Sequence, residues 1–177
     1  MKNLLKKIIY TSRLKLVPIS LTYKDIIFAE FTPEITAYMH PRSAKHVSEI
    51  IDFIDNSLVG MKKGSNLQMV ALKKVGNEFL GCAGLHNIDT TTPKVGIWIK
   101  KSAHGHKYGQ EAMRALKIWA DENLDYEHIL YLVEQDNIPS RKVVESLGGK
   151  IARKFSKYNM SGRLQDMLEY RIYPENY

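Results

Sequence analysis

KVGIWIKKSAHGHKYGQEAMRA, residues 94–115, passes from an apolar strand through a short basic loop containing Gly105 and Gly109 into a helix. In that order, free backbone N–H groups and the positive end of a helix lie beside the C-terminal end of a strand. A pyrophosphate binds such a place without a metal ion. The loop matches neither GxGxxG nor GxxxxGK[ST], which weakens a mononucleotide or dinucleotide reading.

The elements on either side of this stretch are less compact but legible. Leu14 and Leu16 alternate with Lys15 ahead of Pro18, which predicts a first strand over residues 13–17. Helices are expected over 22–31 and 43–62. In the second, Val47, Ile50, Ile51, Ile54 and Leu58 recur at helical spacing, and Gly60 and Gly64 mark its end. Between the two, Pro33 opens a one-turn helix over 34–38. Strands follow over 67–73, 78–86 and 94–100, with a Gly76–Asn77 turn between the first two. A helix over 110–123, a strand over 128–133 and a short helix over 140–147 come next. Residues 150–157 and 167–173 then close as an antiparallel pair across Ser161 and Gly162. The order β-α-α-β-β-β-α-β-α-β-β argues for one α/β domain over residues 1–177, a mixed sheet with helices packed on it.

Composition narrows the function. The chain has 177 residues, 44% hydrophobic and 25% charged, as a soluble globular domain does. No apolar run is long enough to cross a membrane, and no cleavable leader follows MKNLLKKIIY, so a cytoplasmic protein is expected. The net charge of +7 favours an anionic partner. The cations, however, lie in scattered pairs such as Lys62–Lys63 and Lys100–Lys101, not in a basic stripe with interleaved aromatics, and a nucleic-acid role is disfavoured. Cys82 is the single cysteine; it forms no internal disulfide, and no Cys/His spacing fits a metal. A homodimer is compatible with the sequence but not specified by it.

Several stretches together resemble the GCN5-related N-acetyltransferases (the GNAT superfamily), and within them the RimJ/RimL-type ribosomal-protein N-terminal acetyltransferases. They are Thr11-x-Arg13-Leu14-x-Leu16, then Phe79-Leu80-Gly81-Cys82-Ala83-Gly84-Leu85. Gly96-Ile97-Trp98-Ile99 follows, with His104-Gly105-His106-Lys107-Tyr108-Gly109-Gln110-Glu111-Ala112. Asn137-Ile138-Pro139-Ser140 and Leu147-Gly148 complete the set. The resemblance implies a mostly antiparallel sheet with a central splayed parallel pair, helices on both faces, and acetyl-CoA as acyl donor. It places the pantetheine arm along the backbone of Ile97, Trp98 and Ile99. The pyrophosphate falls over His104, Gly105, His106, Lys107, Tyr108, Gly109 and Gln110, and Asn137 and Ser140 lie near the arm and its sulfur. The acceptor is a primary amine of a peptide or a small molecule, and the alternative is a noncatalytic acyl-CoA-binding module.

The chain departs from the family pattern in four places. His104 stands at the usual Gln/Arg position of the loop and Lys107 at its first glycine. Lysine is compatible there only if its backbone stays outside the glycine region. Val144 replaces the tyrosine that protonates the leaving thiolate in many members, and Lys94 replaces a glutamate common in this branch. Candidates for proton handling are Glu134 and His86, each ending a strand, together with Ser140; Tyr131 reads as packing. Local capping is the alternative reading of Asn137 and Ser140, and both roles can coexist.

Overall fold

A computed structural model describes residues 4–175. Eight strands form one sheet in the order β1-β2-β3-β4-β5-β6-β8-β7. They are β1 (Ile9–Tyr10), β2 (Leu14–Pro18), β3 (Asn66–Lys73), β4 (Phe79–His86), β5 (Lys94–Ile99), β6 (Ile129–Glu134), β7 (Lys150–Tyr158) and β8 (Leu164–Ile172). Only β5 and β6 run parallel; every other neighbouring pair is antiparallel. The helices are α1 (Lys24–Glu30), α2 (Pro33–Thr36), α3 (Val47–Lys63), α4 (Tyr108–Asn123) and α5 (Ile138–Glu145). Helices α1 and α3 cover one face of the sheet, α4 and α5 the other.

The expected mixed sheet, splayed pair and two helical layers are all present, and the differences are local. The two-residue β1 went unseen because an edge strand that short has no period. The helix expected over 22–31 divides into a 3₁₀ turn at Leu21–Tyr23 and α1. Helix α4 starts two residues earlier than expected and α5 also two, since Asn137 accepts from Ser140 N–H and Pro139 fits the first turn. Strand β8 begins at Leu164, not 167, because Gly162, at φ +79°, turns the hairpin tightly enough for pairing to start at once.

Helix α3 matches its periodicity. Ile50, Ile54 and Met61 are buried, and Gly64 ends the helix at φ +81°. Helix α4 buries Ala112, Met113, Leu116, Trp119 and Ala120 against β2, β4 and β5. Its one buried cation, Lys117, is neutralised by both oxygens of Asp121, which also accepts from the Tyr126 hydroxyl. Leu67, Met69, Ala83 and Leu85 are buried on the sheet face beneath α4. This packing fixes the place of the α4 N-terminus. No helix of the described residues is long and apolar enough to span a membrane.

Candidate active site

Strands β5 and β6 meet at one register position, Lys94 opposite Leu130, where Leu130 N–H donates to the Pro93 carbonyl at 2.8 Å. Beyond it they part. Residues 95–99 keep their partners in β4, and residues 131–134 keep theirs in β8. The β5 edge facing the gap has backbone groups without a ladder partner among the described residues, the arrangement an extended ligand can complete as an added strand.

The loop after β5 closes the wide end of this gap. A 3₁₀ turn at Lys101–Ala103 leads to His104, whose Nε2–H donates to the Ile99 carbonyl at 2.7 Å and folds the loop back onto the strand. Gly105 has φ +81°. Lys107 also lies in the left-handed region, at φ 60° and ψ 19°. This corrects the expectation that a lysine requires an ordinary backbone here: the chain keeps a glycine-like turn without glycine, at a cost of about 1–2 kcal/mol. None of the N–H groups of residues 105–110 donates to a described acceptor. The first to do so is Glu111, to the Lys107 carbonyl at 3.2 Å. Six unpaired amides at a helix N-terminus are an arrangement that can take an anion.

Glu111 braces this loop from behind. Its carboxylate accepts from Thr11 Oγ1 at 2.6 Å, Ser12 Oγ at 3.1 Å, Arg13 N–H at 2.8 Å and Arg13 Nε at 2.7 Å. Arg13 also donates to the His106 carbonyl at 3.1 Å and lies over the Tyr108 ring. Burial pushes the Glu111 pKa up, but these hydrogen bonds outweigh it and hold the group at about 2. The family-like pair Arg13 and Glu111 thus anchors the loop rather than the ligand.

Gly109 faces the gap. A side chain there would meet Ile99, Ile97 and Val143 at 3.7–3.9 Å, so the α4 N-terminus, β5 and α5 share one groove. Asn137 Oδ1 caps α5 by accepting from Ser140 N–H at 3.2 Å, and Ser140 Oγ shares a 2.5 Å hydrogen bond with the Tyr131 hydroxyl. Burial raises the Tyr131 pKa. Val144 is buried and points into the core. The cap uses only Oδ1 and leaves the Asn137 amide nitrogen unused.

The opposite face of the same strands bounds a cavity of about 370 Å³. Gly96 and Trp98 of β5 form its floor with Cys82 and His86 of β4 and Gln68 of β3. Its walls include Ile27 of α1, Phe31 from the segment between α1 and α2, Ile50 and Phe53 of α3, and Met160 from the β7–β8 hairpin. Trp98 packs against Phe31, their ring centroids 5.0 Å apart. Burial pushes the Cys82 thiol far up, which leaves it inert as a nucleophile. His86 lines the cavity opposite Lys94 in the register; burial, then the Lys94 charge, lowers its pKa from the ordinary histidine value and favours the neutral imidazole. Arg42 and Glu49 at the rim neutralise one another at 2.8 Å.

Glu134 stands differently from the sequence expectation. It is 4% exposed, and Arg163 donates to both of its oxygens at 2.7 and 2.5 Å while Gln165 adds a third bond at 2.8 Å. The Arg163 hydrogen bonds, first, and that of Gln165 lower its pKa against burial. A carboxylate so held is a poor proton acceptor. Arg163 also donates to the Ala37 carbonyl at 2.6 Å, so it ties both β6 and the segment before α3 to the last hairpin. The sequence reading did not single out Gln68. Its only local signal is a lone amide inside the apolar run of β3.

The sequence profile of the "Acetyltransferase (GNAT) domain" family matches residues 13–150; the chain belongs to that family. It is 27% identical to an "Uncharacterized N-acetyltransferase p20" of Bacillus licheniformis, over 96% of this chain and 97% of that protein. Its fold is similar to the acetyl transferase of Salmonella typhimurium that modifies the N-terminal serine of the 50S ribosomal subunit protein L7/L12, at TM-score 0.83 and 14% identity, over 96% of this chain and 100% of that one. It is also similar to RimL, a ribosomal L7/L12 alpha-N-protein acetyltransferase solved with coenzyme A, at TM-score 0.82 and 13% identity, over 95% and 98%. At these identities the likeness is one of fold.

Proposed function

We propose that this GNAT-family protein is an acetyl-CoA-dependent N-acetyltransferase acting on a primary amine, either the α-amine of a peptide or a small amine. The observation that carries the reading is the parted β5–β6 pair with six unpaired amides at its wide end. Residues 105–110 and the α4 N-terminus would hold the diphosphate. The free edge of Ile97, Trp98 and Ile99 and the Asn137 amide would hold the arm. Acetyl-CoA supplies an acyl group activated as a thioester.

The chain's own residues supply the rest. No atom lies within 4 Å of the place a Cβ of Gly96 would take, so the cavity is open against β5, and the parted β5–β6 edge beside it would let an amine in the cavity reach the groove. His86, whose burial favours the neutral imidazole, accepts a proton at a ring nitrogen from the incoming ammonium. The apolar walls and the Lys94 charge both lower the pKa of that ammonium. Ser140 Oγ, backed by the Tyr131 hydroxyl, is the proton source on the groove side, in the role the buried Val144 has vacated. Direct attack by the amine is the reading for acyl transfer, because Cys82 has no activating partner among the described residues.

Calorimetry with acetyl-CoA, followed by thiol-release assays over an amine panel, tests the proposal. Saturable binding with turnover supports it. Binding without turnover of any amine would replace it by a noncatalytic acyl-CoA-binding module, and no binding at saturating acetyl-CoA would reject both.

A further inference from the structure

The floor of the cavity contains a polar group that the fold leaves unused. Gln68 of β3, Gly84 of β4 and Gly96 of β5 occupy one row across three paired strands. Gln68 is 5% exposed, and its carboxamide bonds to no described residue, while its polar atoms stay accessible from the cavity. A carboxamide with no partner among the described residues, at the floor of a mostly apolar cavity, is free to bond whatever enters, and it points to a ligand that satisfies it. The neighbouring glycine makes room for it: a Cβ at Gly84 would stand 2.4 Å from Gln68 Oε1. Alanine at position 84 would therefore displace the carboxamide.

We infer that Gln68 orients the acceptor amine, and that the acceptor is a primary amine on an apolar body with no second positive charge. The inference rests on the acetyltransferase reading and deepens it. Three observations fix the chemical class. His86 lies two residues beyond Gly84 on the same sheet face, about 7 Å along the strand. That is about the span of two consecutive hydrogen bonds sharing one nitrogen. The walls facing that point are Phe31, Ile50, Phe53, Trp98 and Met160, which take a hydrocarbon or aromatic group. Glu49 is the one carboxylate on the lining and is already paired with Arg42 at 2.8 Å, while Lys94 stands opposite His86. A polyamine therefore finds no counter-charge for its second ammonium. The Gln68 carboxamide oxygen accepts from an amine N–H and turns the nitrogen lone pair toward Gly96, and the imidazole of His86 takes the proton that leaves.

The test uses tetrapeptides alike except for an N-terminal Phe, Leu, Ser or Lys, together with 2-phenylethylamine and spermidine. Thiol release is measured over the panel. In parallel, calorimetry on the protein without acetyl-CoA measures binding of 2-phenylethylamine and spermidine. The expected result is a kcat/KM at least about tenfold higher for the Phe- and Leu-led peptides than for the Ser- and Lys-led ones, in line with what an apolar pocket discriminates. Direct binding of 2-phenylethylamine but not spermidine is expected too. Gln68→Leu should weaken amine binding and raise the amine KM about tenfold, leave acetyl-CoA affinity unchanged, and keep Tm, because the carboxamide bonds to no described residue. A structural glutamine would instead lower Tm on replacement. A preference for spermidine or for Ser- or Lys-led peptides overturns the inference, as does amine binding that Gln68→Leu leaves unchanged or the absence of any amine binding. Failure to bind acetyl-CoA defeats the acetyltransferase reading instead, and the amine titration still reads the pocket.

Discussion

The two faces of β5 are built on different principles. On the α4 side, Ile97 and Ile99 border a groove whose binding groups are main-chain amides and strand edges. On the α3 side, Gly96 and Trp98 floor a cavity whose chemistry belongs to side chains brought from β3, β4, α1, α3 and the last hairpin. A site made of backbone tolerates side-chain changes as long as the turn is kept. A site made of side chains changes with each of them. The first face therefore suits a ligand common to a family, and the second suits whatever distinguishes one member from another.

Single substitutions should separate the two faces. The largest effect is expected from His86→Gln, which should lower kcat by about a hundredfold or more, the usual worth of a positioned general base, with acetyl-CoA affinity intact. In the unaltered enzyme the low pKa of His86, set by burial and by Lys94, predicts activity that falls only as pH drops below about 6.5. The pH–rate profile of the variant should lack that acidic limb, and a profile identical to wild type would remove His86 from the reaction. Next comes Gly109→Trp, which fills the groove between Ile97, Ile99 and Val143. Acetyl-CoA affinity should fall tens-fold to about a hundredfold through overpacking, while amine titration of the cavity is unaffected. Equal losses at both sites would mean that the faces are not independent.

Acid should loosen the backbone face first. The folded pKa of Glu111 is about 2, below its unfolded value of about 4.3. Its contribution is thus fully present above the unfolded value and is lost as pH falls from there toward 2. Stability measured between pH 4.5 and pH 2.5 should fall, and Glu111→Gln should reduce that pH dependence and lower the acetyl-CoA affinity at neutral pH. The smallest effect is expected from Lys107→Gly. Relief of the left-handed strain, about 1–2 kcal/mol, is offset by about 0.5–1 kcal/mol of added chain entropy. Tm should rise by a few degrees at most, with acetyl-CoA binding kept. A drop in affinity would show that the Lys107 ammonium, not its amide, matters.

The same division governs how much the residues disclosed in advance. The groove was legible because strand, loop and helix are contiguous. A run such as Gly96-Ile97-Trp98-Ile99 followed by Gly105 and Gly109 carries its geometry locally, and hydrophobic period fixed α4 to within two residues and α3 at its C-terminal end, while α3 starts four residues later than expected. The cavity was not legible, because Gln68, His86, Phe31 and Met160 meet only through sheet register and the path of the last hairpin. His86 could be noted as a strand-end histidine, but nothing local to it gave its partners. Glu134 was offered as a base from its place at the end of β6. Arg163, 29 residues later, takes both its oxygens, and no local pattern announces that pairing. Lys107 is the converse case, in which side-chain identity argued against a glycine-like turn that packing of α4 and the Arg13–Glu111 brace nevertheless impose.

By itself, then, the order of residues determined the elements, the burying faces of the long helices and a diphosphate-sized patch of unpaired amides, because these follow from φ/ψ preference, periodicity and chain continuity. Which carboxylate is neutralised, which histidine stays uncharged, and which amide waits unpaired over Gly84 were decided only when eight strands closed into one sheet. Hydrogen bonds and desolvation depend on neighbours in space, and those neighbours come from segments up to 126 positions apart in the chain, as in the Arg163 bond to the Ala37 carbonyl.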